Sequence, residues 1–174
     1  MNEKKTKAER NRLLKEKRNN LLEEYKNPEF DTGKRITFYT MIAVAAFKIF
    51  HVLLQVIYLL VNNIPLIASG VFIFMLTTFA TFYFTLLIII GSKTFVYVSL
   101  IGGFFSIAHA NTNQMFLHFN ADDGFFNLVQ VVFHFVILIQ IAAAVYLLID
   151  KRCNVYFKSM SEIQKELGAF LKNK

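Results

Sequence analysis

Four apolar runs dominate this chain, at roughly 36–61, 66–90, 94–119 and 125–149, and every histidine lies in or beside one of them. About 20 apolar residues at 1.5 Å rise cross the hydrocarbon core of a bilayer. Continuous runs of that length leave no wetted face, so the expected fold is all-α: a polytopic membrane protein with four transmembrane helices. The 174 residues lie mostly in these runs, which leaves room for one membrane domain and none for a soluble catalytic domain. The expected division is a basic amphipathic tail at 1–35, a four-helix membrane domain at 36–149, and a C-terminal amphipathic helix at 150–174.

Basic residues set the expected orientation. Eleven Lys and Arg precede Ile36, Lys93 lies between the second and third runs, and six more follow the fourth. The turns at 62–65 and 120–124 carry none, and the second holds Asp122 and Asp123. Lys and Arg flanking spans stay on the cytoplasmic side, so both termini and the Lys93 turn are expected there. The formal charge of +7 is then mainly a topology signal. Nucleic-acid binding is not expected, because acids are mixed through the basic tail. The N-terminal segment lacks a signal-peptide pattern, and the first run is expected to act as its own insertion signal. No tryptophan and abundant Phe, Ile, Lys and Asn fit an AT-rich genome, pointing to a bacterial cytoplasmic membrane. The single cysteine, Cys153, cannot form an internal disulfide; an inert thiol is favoured over a lipidated one.

Displacing the chain by 58 residues aligns the first run with the third and the second with the fourth. Phe47 then falls on Phe105, His51 on His109, Asn62 on Asn120 and Lys93 on Lys151, while Gln55 meets Asn113. Two tandem helical hairpins, about 36–93 and 94–151, are expected as parallel repeats about an axis along the membrane normal. The correspondence also extends the third span through the polar residues 111–114 to about Phe119.

At the N-terminus, 6–25 carries Leu14, Leu21 and Tyr25 at helical spacing, and Asn27-Pro28 ends the pattern. At the C-terminus, Ser161 and Gln164 form a capping-box pair ahead of an apolar stripe of Ile163, Leu167, Phe170 and Leu171. Two environments suit these stripes equally: the anionic inner leaflet, with Leu14, Leu21, Ile163, Leu167 and Phe170 at the membrane surface, or packing on each other or on a partner.

Polar side chains inside the spans carry the functional signal. Lys48, His51, Gln55, Tyr58 and Asn62 recur at steps of three and four, on one face of the first span. Ser99, Ser106, His109 and Asn113 do the same in the third, and Asn127, Gln130 and His134 in the fourth. The second offers only Thr77, Thr78, Thr81 and Thr85. His51, His109 and His134 each lie roughly 14 Å from the outer end, at 1.5 Å per residue. An amide sits one turn further out in each case: Gln55, Asn113 and Gln130. A histidine layer beneath an amide layer is therefore expected, and interhelical hydrogen bonding alone accounts for it as well as a ligand or permeation site does. Gln140 lies off the stripe and reads as a packing contact. Lys48 sits near mid-membrane, and the four runs contain no Asp or Glu. Its burial costs roughly 2.5–3.5 kcal/mol on insertion scales unless it snorkels, faces water, meets an anion or pairs with a partner's acid. Gly102, Ser106 and Ala110 form a small-residue ridge suited to close helix approach, and Asp122 or Asp123 suits an N-cap for the fourth span.

No phosphate-binding glycine loop, metalloprotease helix or paired-cysteine site occurs, so no catalytic residue is assigned and an enzyme is disfavoured. Three functions fit the pattern. The first is a transmembrane pathway for a small solute or ion, with an anion favoured, lined by Lys48, His51, Gln55, His109, Asn113, Gln130 and His134. As four spans alone leave little room for a wide pore, it is expected to be a homo-oligomer. The second is an accessory subunit of a larger membrane complex. The third, ranked lowest, is a metal or haem protein ligated by His51, His109 and His134.

Overall fold

The computed structural model describes residues 7–62, 69–112 and 123–172, with side chains described over 9–62, 79–107 and 123–172. The described residues form six helices and no strand: α1 (Lys7–Glu24), α2 (Pro28–Val61), α3 (Ser69–Ile89), α4 (Lys93–Thr112), α5 (Gly124–Ile149) and α6 (Lys151–Lys172).

Local chemistry sets several boundaries. Asn27 caps α2, its side chain accepting from the Phe30 amide at 2.8 Å, and Pro28 occupies the first turn, where its missing N–H is no loss. Asp123 caps α5 in the same way, accepting from the Phe126 amide at 2.8 Å. Asp150 ends α5 and starts α6: its carboxylate accepts from the amides of Arg152 and Cys153. The Arg152 guanidinium, 2.8 Å away, holds that carboxyl down to about 2. α6 thus begins at Lys151, and Ser161 lies inside the helix instead of at its start. α2 runs unbroken from Pro28 into the apolar run, so no break in the helix marks residue 35.

α2 packs on α3 and α5, and α4 packs on the same two helices, so the four close into a ring with α2 opposite α4. Neighbours run antiparallel: Tyr58 of α2 meets Phe125 and Phe126 at one end of α5, while Phe47 meets Phe135 deeper in. Two helices, α2 and α5, are long and apolar enough to cross a membrane. At 1.5 Å per residue they measure about 51 and 39 Å. Only 17% of the most apolar stretch of α2 and 22% of that of α5 is buried, unlike the core helices of a water-soluble protein. Phe79, Phe105, Phe135, Tyr39 and Ile149 are among the side chains left outward-facing.

The terminal helices join one end of the ring. α6 packs along the first turns of α2 and against α1 and α5. Leu21 and Ile163, each 1% exposed, lie in one core with Phe30, Tyr156, Phe157 and Met160, and Leu167 packs against it. Leu21, Ile163 and Leu167 therefore face protein, which corrects the expectation of Leu21 and Ile163 at a membrane surface; Leu14 and Phe170 are half-buried and Leu171 is exposed. Apolar area removed from water by the neighbouring helix explains the outcome, since it needs no lipid. Gly33 brings the two backbones together, because a Cβ there would strike the Arg152 carbonyl. Cys153 is fully buried beside Thr37 and the Gly33 carbonyl, with burial pushing its thiol upward, so it is unavailable for lipidation. α6 also clasps the α3–α4 turn. The Tyr156 hydroxyl donates to the Ile89 carbonyl at 2.5 Å, and Lys93 Nζ donates to Asn154 Oδ1 at 2.6 Å. Gly91 makes that turn at φ 96°, with Met160 where a side chain would go.

Candidate functional site

Lys48 points from the α2 stripe into the ring. Its Nζ donates to Thr81 Oγ1 of α3 at 3.2 Å, beside a cavity of about 240 Å³. Thr81 and Thr85, four residues apart, share one face of α3 and line the cavity. Ser99, Gly102 and Ser106 line it from α4, and Gln140 from α5, so all four ring helices contribute. Gln140 Nε2 donates to the carbonyl of Ser99 at 2.7 Å and to its hydroxyl at 3.2 Å, tying α5 to α4. Gln140 is thus both the packing contact expected of it and part of the wall.

The cavity has a definite floor. Met41, Ile88, Val96, Ala144 and Leu147, each at most 4% exposed, pack together on the side nearer α6. In the opposite direction the α2 stripe continues through His51, Gln55 and Tyr58, and the Tyr58 hydroxyl donates to Asp123 Oδ2 at 3.1 Å. Among the described residues no carboxylate lines the cavity. At roughly 30 Å³ per liquid water, its volume suits several waters or one small solute.

Not every expected site residue converges here. His51, 6% exposed, packs on the Phe133 ring at 5.3 Å, and its Nε2 is buried without a hydrogen-bond partner. The Nδ1 of His134 lies 2.7 Å from the Gln130 carbonyl, four residues back on α5. Gln55 and Gln130 are half-buried. The side chain of His109, all of Asn113, and the extension of the third span to Phe119 lie outside the described residues. Among the described residues no group of three His, Cys, Asp or Glu could hold a metal ion.

The small-residue ridge also behaves differently from expectation. A Cβ at Gly102 would meet nothing within 4 Å, because Gly102 lies at the exposed edge of the cavity, whereas one at Gly103 would collide with Ile141. Close approach of α4 and α5 therefore uses Gly103. Sequence reasoning passed over Thr81, Thr85 and the wall role of Gln140. The available signal was spacing: 81 and 85, and 99, 102 and 106, each fall on one helical face.

No family model, curated protein or solved structure shows significant similarity to this chain.

Proposed function

We propose that this protein is a four-span membrane protein whose helix ring forms a pathway for a small solute or ion. The observation that carries the proposal is the cavity holding Lys48 among hydroxyls, inside a ring whose outer surface is apolar. A lysine on the inner face of an apolar bundle is costly to retain for packing alone, and intramembrane charges mark solute or ion paths. α3 and α4 have 21 and 20 residues, about 30 Å each, which suits crossings beside α2 and α5.

The cavity would be the central station of this pathway. His51, Gln55 and Tyr58 would line the outer half, and the packed floor would close the half toward α6. Positive charge on α1 and α6 favours that end as cytoplasmic. Two parallel hairpins from a tandem duplication would place α2 opposite α4, the order found in the ring.

Reconstitution into liposomes with ion-flux measurement tests the proposal. Wild-type protein is expected to support flux that Lys48→Leu abolishes and His51→Leu reduces, with helicity and monodispersity unchanged. Undiminished flux in both variants overturns it.

A further inference from the structure

Thr85 carries an inference that deepens the pathway proposed above and rests on it. Helical Ser and Thr hydroxyls commonly donate to the carbonyl four residues back. Among the described residues two do so: Thr32 Oγ1 to the Pro28 carbonyl at 2.7 Å, and Ser106 Oγ to the Gly102 carbonyl at 2.8 Å. Thr85 does not. It is 4% exposed, lines the cavity, and its Oγ1 is buried with no hydrogen-bond partner. A buried hydroxyl without an acceptor is costly, and each such group calls for an explanation.

Two further donors of the wall are already engaged. Gln140 Nε2 is held by Ser99, and the Ser106 proton by its own helix. Lys48 uses one N–H on Thr81, and an ammonium has three. The donors left over include ammonium N–H groups from α2 and, one turn of helix beyond Thr81, the buried Thr85 hydroxyl of α3. No described carboxylate faces them.

We infer that the cavity binds a small monovalent anion of halide or nitrate size, held by Lys48 and the Thr85 hydroxyl. Charge balance sets the valence. One lysine compensates one negative charge, and a doubly charged oxyanion would leave the second uncompensated in a low-dielectric bundle. A metal cation would meet the ammonium with no carboxylate to offset it, and an apolar solute would leave Thr85 unsatisfied.

Chloride binding is read from the broadening of the chloride-35 resonance by the detergent-purified full-length chain. The same protein in liposomes reports chloride, nitrate, sulfate and potassium flux. Wild type is expected to broaden the line saturably, with nitrate competing and sulfate not. Thr85→Val should weaken binding on the order of tenfold to a hundredfold, the effect of removing one hydrogen bond to a charged group. Thr85→Ser keeps the donor and should bind like wild type, separating the hydroxyl from any effect on folding. Saturable binding without flux sustains the site and removes the pathway. Flux of potassium or a neutral solute without chloride binding overturns the anion site and leaves the pathway standing. Neither binding nor flux overturns both, and equal binding by Thr85→Val and wild type removes Thr85 from the site.

Discussion

Replacing Gly33 with alanine sets helix propensity against packing, and the two predict opposite signs. Gly33 is interior to α2, where Gly→Ala ordinarily stabilises a helix by roughly 1 kcal/mol. Here the new methyl would occupy the space of the Arg152 carbonyl, with the Cys153 amide nitrogen 3.1 Å away. Both obstacles are backbone at the start of α6, so no side chain can rotate aside. Overpacking costs about 1–3 kcal/mol, and a rigid neighbour argues for the upper end. The net expectation is destabilisation of the α2–α6 contact by about 2 kcal/mol. The chain contains one cysteine, and it is fully buried at this contact, so the rate of maleimide labelling of Cys153 reports the separation directly. A 2 kcal/mol loss should speed labelling roughly 30-fold. Gly102→Ala is the matched control: nothing lies within 4 Å of its Cβ, so propensity acts alone and Cys153 should stay protected. If Gly33→Ala labels no faster than wild type and unfolds at equal or higher temperature, the close α2–α6 approach is wrong.

Two further predictions concern the same end of the molecule. Gly91→Ala is expected to lose about 1–3 kcal/mol, from backbone strain at φ 96° and collision with Met160, and to lower the unfolding temperature in detergent; unchanged stability would exclude that turn geometry. Tyr156→Phe should lose about 1–3 kcal/mol by leaving the Ile89 carbonyl without its donor. Burial pushes the Tyr156 hydroxyl up to about 12 from 10. Its contribution is thus fully present below pH 10 and is lost as pH rises from 10 to 12. An unfolding series across that window should show a fall in wild type that Tyr156→Phe lacks.

Much of the helical layout was legible because it depends on local chemistry. Leu14, Leu21 and Tyr25 at helical spacing, ended by Asn27-Pro28, specify α1, and Asp123 specifies the start of α5, whereas the same Asn27-Pro28 also opens α2 eight residues ahead of the apolar run, which the pattern did not announce. Where a local signal competed with packing, packing prevailed. Ser161 and Gln164 match a cap, yet α6 starts ten residues earlier, because Asp150 caps it there and Tyr156 and Phe157 bury against the ring and α2. The candidate site was legible only in part. Lys48 stands out in any apolar run without acids, but Thr81 and Thr85 are ordinary residues for such a helix. The expected histidine layer came from counting residues along each run, and such a count does not say which neighbour a ring meets: His51 meets Phe133.

The sequence alone determined that the chain is helical, that it carries apolar runs, two of them in helices long enough to cross a membrane, and that one lysine lies within those runs. Those properties follow from composition and period along a single helix. Which faces meet was decided by tertiary structure: Thr85 placed on the cavity that Lys48 also lines, Gln140 tied to Ser99, and Ile163 and Leu167 of α6 packed into a core with α1 and α2. Each helix has a polar face whose direction is readable, but the azimuth at which four helices pack depends on side-chain volumes from all of them together. A cavity is what that joint packing leaves unfilled, so no single stretch of sequence contains it.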